Sequence, residues 1–393
     1  MKNSLLTSAE ALQQFRTKLR RWYAKHKREL PWRITRNPYD IWLSEIMLQQ
    51  TTVATVIPYY RRFLEHFPTV TNLAQAEESE VLKLWEGLGY YSRARNIHKT
   101  ATIISSQYRG IFPQQSDQLQ ALPGIGRYTA GAIISFAFNK PAPIVEANTQ
   151  RLYSRLGGYD QELANAAGQR FLWSTAEKLL PIREPGSFNQ AVMELGSQVC
   201  TPVDPDCDRC PVSVFCSAYQ TNRQHEIPRP KRKPKITDVT HLCIAVEKKR
   251  KFLLHQYPEG ERWAGLWDFP RWELDEKTVV SSKKYLEMLS RKYPPGNSLF
   301  DQRDLFKAPF AWVENEVESQ YQFEINLTHQ ITTIQHSVTR YRIRLICLQG
   351  KHLSGRVGKG LHNSCWVSAK QLDQYPLSTT ARKMAKLIQG NLQ

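Results

Sequence analysis

The sequence predicts a multidomain protein with an all-α N-terminal core and a separate α+β C-terminal domain. Up to about residue 220, apolar residues recur at helical spacing, as Leu12, Phe15 and Leu19 do. From residue 238 onward they alternate with polar residues, as in 341–347, which is typical of half-buried strands. Between these parts, residues 222–237 are rich in Pro, Lys and Arg, which predicts an extended linker. Both parts are long enough to bury a core of their own.

The helical core is expected to span residues 1–221. A first helix is predicted to end near Lys27, and a second to begin near Ile41, after a turn at 37–40. Helices are also predicted at 59–67, 72–88, 130–138 and 148–156. The C-terminal domain, 238–393, is expected to hold strands at 241–246, 252–255, 321–327 and 341–347, with helices at 281–292 and 379–388.

The charge balance points to a polyanionic partner. Lys and Arg number 54 against 36 Asp and Glu, a net charge of +18, which favours nucleic acid. The longest apolar run, Thr129–Phe138, is too short to cross a bilayer, and the N-terminus lacks the apolar core of a signal peptide. We therefore expect an intracellular, DNA-associated protein with no membrane partner and with reduced cysteines.

Two glycines after a proline mark the centre of the helical core. Gly124 and Gly126 follow Pro123, which predicts a sharp turn whose backbone N–H groups can approach an anion. The apolar helix that follows directs the positive end of its dipole at the same place. Glu146 comes soon after that helix. A phosphate-binding turn beside an acid suits an enzyme that acts on nucleic acid. The turn alone also fits a plain helix-turn-helix corner with a surface Glu.

Four cysteines lie close together in the sequence: Cys200, Cys207, Cys210 and Cys216. Zinc ribbons usually pair two C-x2-C knuckles, and only one is present here. The compact, unequal spacing is more typical of a 4Fe-4S cluster, with zinc second and free structural thiols third. The other three cysteines are most simply buried thiols.

In combination these segments resemble the adenine DNA glycosylase (MutY) family of the helix-hairpin-helix glycosylase superfamily. The resemblance covers residues 30–216 almost continuously. It is carried by 30–33 (Leu-Pro-Trp-Arg), 42–51 (Trp-Leu-Ser-Glu-Ile-Met-Leu-Gln-Gln-Thr), 87–93 (Gly-Leu-Gly-Tyr-Tyr-Ser-Arg), the 122–126 hairpin, 188–191 (Phe-Asn-Gln-Ala) and the cysteine set. It implies a six-helix part at about 31–139 and an iron–sulfur part formed by 1–30 and 140–221.

The resemblance implies hydrolysis of the N-glycosidic bond of an adenine flipped out of a mispair with 8-oxoguanine or guanine. The family's general acid matches Glu45, and burial would raise its pKa. The second carboxylate matches Glu146, where the family has Asp in a Val-Asp-Gly-Asn context and this chain has Val-Glu-Ala-Asn, ending at Asn148. Tyr128 stands where strand-cleaving relatives carry a Schiff-base Lys, which implies a monofunctional enzyme. DNA and lesion contacts are implied for Arg33, Leu48, Gln49, Gln50, Thr51, Tyr90, Gly124, Gly126 and Gln190.

The C-terminal domain resembles the MutT-like, Nudix-related domain that recognises 8-oxoguanine in this family. Residues 263–270 match its Gly-Leu-Trp-Glu-Phe-Pro segment, whereas the carboxylates of a Mg²⁺-dependent pyrophosphatase are missing. The family's Phe-Ser-His loop should fall at Val338, Thr339 and Arg340. This domain is therefore expected to bind 8-oxoguanine through Thr339 and Arg340 without hydrolysing a nucleotide.

The resulting hypothesis is a monomeric adenine glycosylase of base excision repair, in the bacterial nucleoid or a eukaryotic nucleus. Two alternatives remain. One is a related glycosylase for thymine or uracil opposite guanine, and the other is a lesion-binding protein that has lost catalysis.

Overall fold

The computed structural model describes residues 8–229, 235–274, 313–357 and 363–390. They form two compact units. The first contains residues 1–76 and 92–232, and the second contains Glu77–Tyr91 together with residues 233–393. The boundaries predicted from the sequence, at 221 and 238, remain predictions.

The described part of the first unit is helical, as the sequence predicts. Its helices are α1 (Ala9–His26), α2 (Pro38–Leu48), α3 (Val53–His66), α4 (Val70–Gln75), α6 (Ser92–Gln107), α7 (Ser116–Gln120), α8 (Arg127–Phe138), α9 (Ala147–Gly157), α10 (Ala166–Leu179), α11 (Pro185–Gln198) and α12 (Ser217–Gln220), with 3-10 turns at Pro31–Arg33 and Ser213–Phe215.

Local sequence explains where the site-bearing helices begin. Asn37 caps α2 by accepting a hydrogen bond from the Tyr39 N–H, and Pro38 occupies the first helical position. Helix α8 begins directly after Gly126, and α9 begins after Glu146, whose side chain caps it. Because a helix N-terminus exposes unpaired N–H groups, both α8 and α9 direct donors toward the segment that precedes them.

The core of this unit surrounds α11, which packs against α1, α8 and α9, while α2 packs against α8. Buried side chains of α1, α9 and α11 form one cluster that includes Phe15, Leu19, Leu152, Val192 and Leu195. Because α2 and α8 are buried along most of their length, polar groups on them lie in a low-dielectric interior.

The second unit is an α+β domain, which confirms the predicted class. Its described strands are β1 (Thr237–Lys248), β2 (Lys251–Gln256), β3 (Trp267–Asp268), β4 (Arg271–Leu274), β5 (Phe323–Val338), β6 (Tyr341–Gly355) and β7 (Ser364–Ser368). The sheet order is β3-β2-β1-β6-β5, with β4 on β1 and β7 on β2. β1 and β6 run parallel and the other pairs antiparallel.

Apolar clusters cover both faces of this sheet, so the middle of β1 is continuously buried rather than alternating. Helix α5 (Glu78–Leu84), a helical stretch at 313–321 and the final helix α13 (Thr379–Gly390) complete the unit. The helix predicted at 281–292 lies outside the described residues. Among the described helices, none is long and apolar enough to cross a membrane.

Candidate active site

Glu45 is a carboxyl group inside the helical core. It lies on α2 and is only 5% exposed, and its Oε2 accepts a hydrogen bond from the hydroxyl of Tyr128 on α8. Burial raises the pKa of Glu45 to about 7, and the charge of Glu146 raises it too, against the lowering effects of the Tyr128 hydrogen bond and Arg33. A carboxyl group with this pKa is in part protonated at neutral pH, as a general acid must be.

Tyr128 lies between Glu45 and helix α11. Its hydroxyl also lies 3.9 Å from the sulfur of Met193 on α11. Burial, followed by the charges of Glu45 and Glu146, raises the pKa of Tyr128 well above its ordinary value. The phenol is therefore neutral at neutral pH, and its hydroxyl fixes the orientation of the Glu45 carboxyl by donating to it.

Glu146 is folded back onto the helix that it precedes. Its Oε1 accepts from the Thr149 N–H at 2.8 Å and its Oε2 from the Asn148 N–H at 2.8 Å, while the Thr149 hydroxyl accepts from the Glu146 N–H. This is a capping box at the N-terminus of α9. Burial raises the pKa of Glu146, and the two backbone hydrogen bonds oppose that rise. The extra methylene of Glu relative to Asp is accommodated within this cap.

Asn148 orients the same carboxylate. Its Nδ2 donates to Glu146 Oε2 at 3.2 Å, and its Oδ1 accepts from Arg151 Nη2 at 3.0 Å. Arg151 also donates to the carbonyl oxygens of Gly196 and Cys200. A Cβ at Gly196 would lie 2.9 Å from the Asn148 carbonyl oxygen, so glycine is required where α11 passes α9.

A buried ion-pair cluster lies near this pair of acids. Glu194, fully buried on α11, accepts from Arg28 Nη2 at 2.8 Å and from Arg33 Nη2 at 2.7 Å. Burial would raise the pKa of Glu194, but the hydrogen bonds from both arginines outweigh it and lower that pKa to about 2. Arg33, predicted to contact DNA, therefore has its guanidinium bound to protein acceptors, including the Arg28 carbonyl oxygen. The sequence-based reasoning missed Arg28 and Glu194.

Gln190 stands one turn before Glu194 on α11. Its Oε1 accepts a hydrogen bond from the Tyr23 hydroxyl at 2.8 Å. Gln190 and Tyr23 line a cleft of about 880 Å³ together with Arg28, Leu30 and Arg33. The structure thus brings Gln190 and Arg33 into one polar cleft.

The glycine hairpin has the geometry that the sequence predicts. Gly124 has φ +76°, and a Cβ there would lie 2.9 Å from the Asn96 Cβ, so a side chain is excluded on both counts. Around a Cβ at Gly126 nothing would lie within 4 Å. The backbone before α8 is therefore open to close approach by an anion.

The segment after α2 carries the predicted stacking residues. Leu48, Gln49 and Thr51 are half-buried, and Gln50 is exposed with φ +59°, a left-handed conformation that is uncommon outside glycine. Arg93, from the start of α6, fixes this segment by donating to the carbonyl oxygens of Ile46, Met47 and Gln49. The sequence-based reasoning did not single out Arg93 for this role.

Tyr90 lies in the second unit, in a turn after α5. It is 46% exposed and has φ +49°. Gln50 and Tyr90 thus both have left-handed backbones, and such strain persists only where the surroundings impose it.

The four clustered cysteines line one common cavity, with apolar walls from Leu152, Leu156, Val199 and Val212. Arg155 Nη1 lies 3.2 Å from Cys200 Sγ, which places a positive charge beside the thiols. Four thiols that line one apolar cavity beside a cation suit an anionic iron–sulfur cluster. Among the described residues, no three or more His, Cys, Asp or Glu side chains are grouped to hold a single metal ion.

The predicted recognition turn, residues 338–340, connects β5 to β6. Thr339 has φ +54°, and both Thr339 and Arg340 are exposed. Arg340 Nη2 donates to the Tyr341 hydroxyl at 3.1 Å, and its guanidinium lies 5.2 Å from the centre of that ring. Arg340 is thus held at the tip of the hairpin.

Known proteins match both parts of the chain. Residues 43–177 match the family described as HhH-GPD superfamily base excision DNA repair protein, and residues 241–387 match the NUDIX domain. An adenine DNA glycosylase from Buchnera aphidicola (Acyrthosiphon pisum) is 38% identical over 264 residues, which cover 67% of this chain and 75% of that protein. The human adenine DNA glycosylase is 32% identical over 432 residues, covering 96% of this chain and 74% of that protein.

The helical fold is also found in solved structures. A thermostable thymine-DNA glycosylase is 30% identical and has a TM-score of 0.50, over 54% of this chain and 98% of its own. The identity and coverage of the sequence relatives decide the family, and the chain belongs to the adenine DNA glycosylases, enzymes of base excision DNA repair.

Proposed function

We propose that this protein hydrolyses the N-glycosidic bond of adenine in a DNA mispair with 8-oxoguanine or guanine. The observation that carries the proposal is Glu45, a buried carboxyl group with a pKa of about 7, beside Tyr128 and a second carboxylate, Glu146. Two acids in different environments suit glycoside hydrolysis, which needs one proton donor and one carboxylate.

Glu45 acts as the general acid in this proposal. Adenine leaves readily only as a neutral base, so the protonated Glu45 carboxyl gives its proton to a ring nitrogen as the bond from C1′ to the base breaks. Tyr128 keeps the carboxyl in place because its hydroxyl donates to Glu45 Oε2. After the base departs, the Glu45 carboxylate can accept a proton from the water that completes hydrolysis.

Glu146 acts on the sugar. Bond cleavage leaves positive charge on the deoxyribose, and a carboxylate nearby stabilises or traps that charge. The cap at α9 and the amide of Asn148 hold the Glu146 carboxylate in one orientation. A carboxylate that is already fixed does not have to reorganise during the reaction.

Tyr128 supports a monofunctional reaction. A phenol cannot form the Schiff base that strand-cleaving glycosylases form through Lys. We therefore propose that the product is an abasic site in an intact strand.

Cys200, Cys207, Cys210 and Cys216 are proposed to hold a 4Fe-4S cluster. The shared cavity and the contact of Arg155 with Cys200 support this assignment. Purified protein should contain about four iron atoms and four sulfides per chain, and Cys210→Ser should lose them. Cys365→Ser, outside the set, is the matched control, and an iron-free wild type would refute the assignment.

The DNA contacts are proposed for the hairpin glycines Gly124 and Gly126 on phosphate. Residues 48–51 and Tyr90 are proposed to contact the base stack, and Gln190 and Arg33 to lie near the flipped base. Thr339 and Arg340 are proposed to contact 8-oxoguanine. The open backbone at Gly126 and the exposed positions of Gln50, Tyr90 and Arg340 support these roles. We also propose that the enzyme works as an intracellular monomer.

A defined duplex tests the function. Full-length protein is incubated with adenine opposite 8-oxoguanine or guanine, followed by alkali, which breaks the strand only at an abasic site. We expect cleavage after alkali and none before it, with Glu45→Gln inactive. Intact strands with folded, iron-loaded protein would refute the proposal, and tight binding without turnover would indicate a lesion-binding protein instead.

A second substrate class is tested in the same assay, because one structural relative of the helical unit is described as a thymine-DNA glycosylase. A panel with thymine or uracil opposite guanine separates the two. We expect excision of adenine to be the fastest reaction in the panel, since the sequence relatives are adenine DNA glycosylases.

A further inference from the structure

The turn that carries Tyr90 is bound to the C-terminal domain by an ion pair. Arg382, on α13, donates from Nε to Glu86 Oε1 at 2.6 Å and from Nη2 to Glu86 Oε2 at 3.0 Å. The two side chains are 14% and 17% exposed. A bidentate pair that is largely shielded from water is both directional and strong.

Arg382 is also hydrogen-bonded to other residues of the C-terminal domain. Its Nη1 donates to the Leu372 carbonyl oxygen and to Asp373, and its Nη2 donates to the Tyr375 carbonyl oxygen at 2.8 Å. The position of Arg382 is therefore set by the C-terminal domain, and the position of Glu86 follows from it.

Beyond Glu86 the chain is a short, constrained turn. Trp85, fully buried, donates from Nε1 to the Gly89 carbonyl oxygen at 3.1 Å, and the Gly87 N–H donates to the Tyr91 hydroxyl at 3.3 Å. Gly87, Gly89 and Tyr90 all have positive φ. Because these hydrogen bonds span the turn from Trp85 to Tyr91, we expect a displacement of Glu86 to be passed on to Tyr90.

A second contact binds the same segment. A Cβ added at Gly265, which has φ +80°, would lie 2.9 Å from Leu82 Cδ1 on α5. The turn around Gly265 thus packs closely on α5. These contacts agree with the grouping of Glu77–Tyr91 with the C-terminal domain rather than with the helices on either side of it in sequence.

We propose that Arg382 and Glu86 are positioning residues through which the C-terminal domain sets the place of Tyr90 in the DNA stack. The inference rests on the proposed function, in which Tyr90 enters the duplex at the lesion. One domain then carries both the residues that recognise the base opposite adenine, at 338–340, and the aromatic residue that opens the stack. Recognition of the opposite base and distortion of the duplex would be coupled through one compact unit.

The test uses full-length protein and a duplex with 2-aminopurine next to the mispair, whose fluorescence rises when its stacking is disrupted. Wild-type protein should raise the fluorescence, and Tyr90→Ala should abolish the rise. We expect Glu86→Gln to remove most of the rise and to slow single-turnover excision roughly tenfold, because small displacements of positioning groups have effects of this size. Glu86→Asp, which keeps the charge, should retain part of the signal.

The double variant Glu86→Gln/Tyr90→Ala tests whether Glu86 affects excision through Tyr90. If Glu86 acts through Tyr90, the double variant should excise at the rate of Tyr90→Ala alone, within about twofold. Glu77→Gln, an exposed acid on the same segment, controls for the lost negative charge. A wild-type fluorescence rise in Glu86→Gln, or independent effects that multiply in the double variant, would overturn the inference.

The two readouts separate this inference from the function beneath it. A fluorescence rise without excision by the wild type would refute adenine hydrolysis and still test the positioning pair. Absence of any rise in the wild type would refute the stacking role of Tyr90 and the inference with it. Melting curves of each variant identify loss of folding, and Glu86→Asp then provides the comparison.

Discussion

Glu45→Gln should make the protein inactive and, at alkaline pH, more stable. The folded-state pKa of Glu45 is about 7 against an ordinary 4.5, because burial penalises its charged form. The folded protein therefore binds a proton that the unfolded chain has lost between these values, so stability falls as pH rises from about 4.5 to 7. At 5% exposure the full shift applies, which is about 3 kcal/mol.

Gln cannot ionise, yet its oxygen can still accept the hydrogen bond from Tyr128. The variant should thus lie within about 1 kcal/mol of the wild type near pH 5 and exceed it by about 3 kcal/mol at pH 8.5, which is about 6–12 °C in melting temperature for a unit of this size. Excision should fall by about 10²–10⁴-fold, the usual contribution of a general acid.

The stability difference is measured by thermal melts at pH 5 and pH 8.5. The loss of activity is measured by single-turnover excision at pH 7. The control is Glu65→Gln, which makes the same substitution at an exposed position on α3. Its melting temperature should differ little from that of the wild type at both pH values. An equal stability difference for Glu45→Gln at the two pH values would show that the Glu45 carboxyl does not carry a raised pKa.

Three further predictions use the same assays. Glu146→Asp keeps both the charge and a good helix cap and should stay within about tenfold of the wild-type rate, whereas Glu146→Gln should lose about 100-fold; equal, unchanged rates for both would refute the carboxylate role. Tyr128→Phe removes a hydrogen bond that lowers the pKa of Glu45. The pH above which the excision rate declines should therefore rise, and a fall of that pH would contradict this prediction. Glu194→Gln leaves two arginines without their carboxylate and should destabilise the protein by about 2–3 kcal/mol at pH 7. Since the pKa of Glu194 is lowered to about 2, that loss should shrink as pH falls from 4.5 toward 2, and a loss independent of pH would count against the ion pairs.

Local signals in the sequence were enough for the elements that depend on local physics. Most helices of the core follow from apolar spacing and caps, and Ser8 caps α1 because its Oγ accepts from the Ala11 N–H. The single helix predicted at 72–88 is wrong, because the chain forms two helices there, Val70–Gln75 and Glu78–Leu84. The hairpin follows from glycine, because only Gly tolerates φ +76° beside Asn96 at position 124.

Side-chain roles that depend on distant partners were harder to predict. Arg33 is bound to Glu194, which lies 161 residues away in sequence, so no local signal predicts this ion pair. For Glu146 the sequence left open how the longer side chain would fit, and the capping box at α9 supplies the answer. The burial of Glu194 has no sequence signature, since an isolated Glu on a helix most often faces solvent.

By itself the sequence determined the class of both domains and the family, and it predicted the cysteine set and the two acids. These rest on spacing and residue type along short stretches of chain. Only the tertiary structure decided that Glu45 is buried beside Tyr128, that Glu194 gathers two arginines, and that Glu86 is held by Arg382. The pKa of an acid and the strength of an ion pair depend on dielectric and on distance, and both are set by segments that meet only when the chain folds.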